Sequence, residues 1–75
     1  MITLYRYTHD PEARAGYVTV GAGQVAETLD LGGNVLIDID AGGNAVGFEL
    51  LDAPTEEAVK RWAAALARIT PGASR

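Results

Sequence analysis

Apolar and polar residues alternate with a period of two over much of the first 53 residues, in five short runs separated by turn-forming residues. A period of two sends successive side chains to opposite faces of a strand, and glycine, proline and asparagine punctuate such strands. We therefore predict five short strands joined by tight turns, an antiparallel β-meander. The predicted strands cover residues 2–7, 16–20, 25–31, 35–40 and 45–51.

After Pro54 the period changes from two to 3.6, which predicts a helix. Thr55 can cap its first turn, and its apolar stripe contains the only tryptophan, Trp62, which we expect to anchor the helix on the sheet. The chain is thus expected to be one α+β domain. Its parts are an antiparallel sheet over residues 1–53, a C-terminal amphipathic helix packed on the sheet over residues 54–70, and a flexible tail over residues 71–75. The helical stripe is Val59, Trp62, Ala63, Leu66 and Ile69.

The fourth and fifth strands can be paired residue by residue, because opposing residues of an antiparallel pair share a face. The apolar residues of the fourth strand are at odd positions and those of the fifth at even positions. We predict a four-residue loop at residues 41–44, since a shift by one residue would scatter the apolar set. The predicted pairs are Ile39 with Val46, Ile37 with Phe48, and Val35 with Leu50.

A chain of 75 residues without cysteine has a small core and no disulfide to reinforce it. Association with a second subunit is the remaining way to add stability, so we expect a homodimer. Leu36 and Leu51 have the parity of the acidic face, and Tyr5 and Tyr7 share one face of the first strand. These four residues are the interface candidates, because exposed apolar side chains on a second face favour a partner.

The charge is acidic and unevenly placed. The formal net charge is −4, and residues 1–53 carry eight acids against two basic residues. Such a sheet repels phosphate backbones, so we expect no nucleic-acid binding, whereas a basic protein is a suitable partner. No apolar run approaches the roughly 20 residues of a membrane span, and the N-terminal residues do not resemble a signal peptide. We expect no membrane contact and a cytoplasmic location.

The fourth predicted turn has acids at the spacing of a calcium-binding loop. Asp38, Asp40 and Glu49 occupy the first, third and twelfth positions, and Gly43 occupies the sixth. The flanks are predicted strands rather than helices, and the fifth position, Gly42, offers no side-chain ligand. An acidic β-hairpin is therefore the favoured interpretation, and a weak Ca²⁺ or Mg²⁺ site at Asp38 and Asp40 is the alternative.

Four further polar residues are candidates for chemistry. His9 lies beside Asp10 and Glu12, a combination that could perform acid–base catalysis. Asp10 followed by Pro11 is more typical of a cap that opens a one-turn helix. Glu27 has the parity of apolar neighbours, so it points inward unless a bulge intervenes. The only serine is in the predicted tail and no phosphate-binding glycine motif is present, so we identify no catalytic residue and expect no cofactor.

Three segments resemble a widespread family of small bacterial domains. Residues 10–13 with residues 17–18 resemble its opening YDPEADALYI, and residues 24–31 (QVAETLDL) are similar to its KVAETIEL segment. Residues 35–53 (VLIDIDAGGNAVGFELLDA) are similar to its VNVDLDEDGKVVGIEILDA segment, the most specific of the three. The resemblance covers about residues 3–53. The C-terminal helix accompanies the pattern without belonging to it.

The family is a domain of unknown function, so the resemblance implies a small β-sheet domain and assigns no catalytic residue. Some members are similar to proteins encoded beside small toxin-like genes, which implies an antitoxin-like, partner-binding role. The chain departs from the family pattern at His9, Arg14 and Gly16, and it lacks the acids that the pattern has at Ala41 and Gly42. The missing acids weaken the metal-site interpretation.

Two hypotheses of different class follow from the sequence. The leading one is a non-enzymatic protein-interaction module, antitoxin-like and homodimeric. The alternative is a small metal-binding or acid–base enzyme that uses His9, Asp10, Glu12 and Glu27, and it requires these side chains to meet in one cleft.

Overall fold

Five antiparallel strands form one open sheet and a single helix covers part of one sheet face in the computed structural model, which describes residues 4–69. This is the α+β fold expected from the change of period. The expected flexible tail, the end of the helix beyond residue 69 and the start of the first predicted strand lie outside the described residues. The elements are β1 (Arg6–Asp10), β2 (Ala15–Thr19), β3 (Glu27–Gly32), β4 (Val35–Ile39), β5 (Ala45–Leu50) and α1 (Glu56–Ile69).

The order of the strands across the sheet is β1-β2-β5-β4-β3. Strands β3, β4 and β5 follow one another as a meander, and the β1–β2 hairpin joins them through the antiparallel pairing of β2 with β5. The two open edges of the sheet are therefore β1 and β3. In the described part of the chain, no helix is long and apolar enough to cross a membrane.

The register of the β4–β5 hairpin confirms two of the three predicted pairs. Val35 lies opposite Leu50 and Ile37 opposite Phe48, but Ile39 lies opposite Ala45 instead of Val46. The shift occurs at an irregularity between Asp38 and Ile39. Its cause is the turn: the Asp40 amide donates to the Asn44 carbonyl at 2.9 Å, which closes the loop one residue earlier than predicted.

The other two hairpin turns, β3–β4 and β1–β2, have backbone features that their sequences predict. Gly33 and Asn34 both have positive φ, 61° and 66°, as the tight turn between β3 and β4 requires. The turn between β1 and β2 is capped by Asp10, whose Oδ1 accepts from the amides of Glu12 and Ala13 at 3.1 and 3.2 Å. The predicted cap is confirmed. The prediction of a one-turn helix is wrong, because Arg14 adopts φ 53° and directs the chain into β2.

Helix α1 begins as predicted, with the Ala58 amide donating to Thr55 Oγ1 at 3.2 Å. It lies over β1 and β2. Burial of this helix against the sheet forms the core, since burial of apolar side chains is the main favourable term in folding. The buried cluster consists of Val18, Leu50, Ala53, Val59, Ala63 and Leu66.

Candidate functional site

Helix α1 packs closely on one half of the sheet because β2 has a glycine, Gly16, at the contact. A Cβ at Gly16 would collide with both γ-methyl groups of Val59, so the two elements touch where β2 has no side chain. Val59 and Ala63 are fully buried in this contact, and the Ala63 carbonyl accepts from the Tyr5 amide at 3.4 Å. An approach this close leaves room for valine and alanine, not for an indole.

Trp62 consequently does not anchor the helix, and the sequence-based prediction is wrong on this point. Its side chain is 42 % exposed, and Ile69, the last residue of the predicted stripe, is 71 % exposed. Both belong to a second apolar stripe at i, i+4, i+7 and i+11, here called the helix flank, about a quarter turn from the buried stripe. The helix flank consists of Ala58, Trp62, Ala65 and Ile69.

A contact on the opposite side of the helix fixes the direction in which the helix flank faces. Tyr7 Oη of the edge strand β1 donates to Glu56 Oε2 at 3.2 Å. Burial, followed by this hydrogen bond and the charge of Glu56, raises the pKa of Tyr7. Glu56 and Trp62 flank the buried stripe on opposite sides, since a residue advances by about 100° around a helix. The helix flank therefore faces away from β1, toward β5, β4 and β3.

The sheet in front of the helix flank is apolar and uncovered by α1. By register, Leu29 of β3 lies opposite Ile37 of β4, and Ile37 lies opposite Phe48, which packs against the core on the helix side. Leu29 is 40 % exposed, and every residue of β3 is exposed. We call Leu29, Ile37 and Ile39 the open face. Val25, before β3, and Leu31, near the end of β3, are also exposed (51 % and 56 %).

Glu27 has the parity predicted for it, and its surroundings differ from the prediction. It lies opposite Ile39 on the helix side of the sheet, next to the open face. It is nevertheless exposed, because β3 is an edge strand and α1 does not reach over it. An inward-pointing charge on an edge strand also discourages unwanted strand pairing.

The other side of the sheet, the outer face, carries a hydrogen-bonded network. Asp38 of β4 accepts from Tyr17 Oη of β2 at 2.7 Å and from Thr28 Oγ1 of β3 at 2.6 Å. The Tyr17 ring lies across Gly47 of β5, where a Cβ would overlap it. Burial, with the hydrogen bond to Asp38 and the charges of Asp38 and Glu49, raises the pKa of Tyr17 to about 12.

The candidates His9, Asp10 and Glu12 do not act together, and the first two make separate structural hydrogen bonds. His9 Nε2 donates to the Ala53 carbonyl at 2.9 Å and holds the segment before the helix, while Asp10 caps its turn and Glu12 is exposed in that turn. Glu27 lies on the other edge strand, four strand spacings or about 19 Å away. The structure therefore does not bring the four candidates into one cleft.

A shallow depression of about 270 Å³ lies beside His9 at the β1–β2–β5 end of the sheet. The polar residues that line it include Thr8, Asp10, Tyr17 and Glu49. Its lining includes two carboxylates and two hydroxyl groups, which can bind a cationic or hydrogen-bonding group.

The two aspartates of the acidic hairpin point to different partners. Asp38 lies in the outer-face network, whereas Asp40 Oδ1 accepts from the amides of Gly42 and Asn44 at 2.9 and 2.8 Å. The Asn44 amide is the largest of the hydrogen bonds that lower the pKa of Asp40. Across residues 4–69 there is no group of three or more histidine or carboxylate side chains placed to hold a metal ion.

The four interface candidates from the sequence fall in three places. Tyr5 and Tyr7 are half-buried and pack against the core beneath the helix. Leu36, opposite Glu49 and Asp30, is half-buried, and Leu51 is 45 % exposed just beyond β5. The residues that sequence analysis missed are those of the open face and the helix flank. The spacing of the helix flank was readable in the sequence, but which stripe faces the sheet was not.

These features define a small α+β domain with a five-stranded sheet, one helix and a half-uncovered apolar face. The chain belongs to the family described as "Protein of unknown function (DUF2283)", whose model matches residues 6–53. This match confirms the resemblance to a small family of unknown function. Neither the comparison with curated proteins nor that with solved structures gave a match.

Proposed function

We propose that the chain is a non-enzymatic protein-interaction module that acts as a homodimer. The observation that carries this proposal is the exposure of large apolar side chains on the open face and on the helix flank. Trp62 and Leu29 are each about two-fifths exposed, and Ile69 is 71 % exposed. Clustered exposed apolar side chains on a small domain mark a binding surface.

The acidic outer face supports the antitoxin-like form of this function. Asp38 and Glu49 contribute to it, and Asp10 and Glu49 line the depression of about 270 Å³. A net charge of −4 attracts a basic protein and repels nucleic acid. In this form the apolar region holds the dimer together, and the acidic outer face binds the basic partner.

Sedimentation equilibrium of the purified chain, combined with co-expression of the product of the neighbouring gene, tests this proposal. We expect a dimer in the micromolar range and a complex that weakens as salt is raised, because charge attraction between exposed groups is screened. A chain that is monomeric up to millimolar concentration and does not co-purify with that product overturns the proposal.

A further inference from the structure

We draw no further inference here: the strongest candidate, the open face that Leu29 of β3 and Ile37 and Ile39 of β4 form beside the helix flank, carries none, because nothing in the structure shows what covers it.

Discussion

Tyr17 and Asp38 are joined by a hydrogen bond of 2.7 Å although a whole strand, β5, lies between the strands that carry them. The bond is possible because β5 has Gly47 beneath the tyrosine ring. Thr28 of β3 completes the network from the other side of Asp38. One set of side-chain contacts thus links β2 to β4 and β3 on the outer face of the sheet.

Removal of the Tyr17 hydroxyl should destabilise the fold modestly. Tyr17→Phe keeps the ring over Gly47 and removes a donor to a charged acceptor, so we expect a loss of about 1 kcal/mol in the free energy of unfolding. Urea denaturation at pH 7 measures it. An unchanged free energy of unfolding would contradict a stabilising role for the network.

The raised pKa of Tyr17 also predicts a loss of folding stability at high pH. Its pKa in the folded chain is about 12, against an ordinary value of 10.0, so the unfolded chain loses the phenol proton first. The contribution of Tyr17 is complete below pH 10 and is lost as the pH rises from 10 to 12. We expect stability to fall over this interval in the wild type and less steeply in Tyr17→Phe. Denaturant midpoints at pH 9 to 12 provide the measurement.

Gly47 should tolerate alanine only when Tyr17 is shortened. In the wild type the new Cβ would overlap the tyrosine ring, displace it and break its bond to Asp38, which we expect to cost about 2 kcal/mol. In a Tyr17→Ala background the same substitution should be neutral or slightly stabilising, because alanine suits a strand better than glycine. A double-mutant cycle by urea denaturation isolates this coupling, and additive effects would argue against it.

Gly16 and Val59 should be coupled in the same manner on the helix side. Gly16→Ala places a Cβ into the Val59 methyl groups and within 3.2 Å of the Thr8 carbonyl, so we expect about 2 kcal/mol of destabilisation as α1 is lifted. The double variant Gly16→Ala/Val59→Ala should lose less than the sum of the single variants. Thermal unfolding followed by circular dichroism tests this; strict additivity would show that the helix is seated elsewhere.

The lowered pKa of Asp40 predicts a loss of folding stability in acid. Hydrogen bonds from the turn amides lower its pKa in the folded chain below the ordinary value of 3.8, so the unfolded chain binds the proton first as the pH falls. The contribution of Asp40 is present above that ordinary value and is lost as the pH drops through the lowered pKa. Asp40→Asn should therefore show a shallower decline in urea midpoint between pH 5 and pH 2. A decline as steep as that of the wild type would assign the acid sensitivity to other carboxyl groups.

The local features were predictable from the sequence, because each depends on residues that are close along the chain. The alternation in residues 35–50 was enough for two of three pairs in the β4–β5 hairpin, and Asp10 and Thr55 were identifiable as caps. The third predicted pair was wrong, since the turn closes by a hydrogen bond from the Asp40 amide to the Asn44 carbonyl, which the alternation of apolar residues does not indicate. Glu27 was assigned the correct face from parity alone.

The way in which the strands and the helix pack against each other depends on contacts between residues that are distant along the chain. The pairing of β2 with β5 left β3 at an edge, so Glu27 and Leu29 are exposed even though their face is the helix side. The contact of Val59 with Gly16 selected the buried stripe of α1 and turned Trp62 outward. Hydrophobicity ranks Trp62 as the anchor, but the close approach at a glycine admits only small side chains. Long-range steric fit, which periodicity does not contain, therefore created the open face.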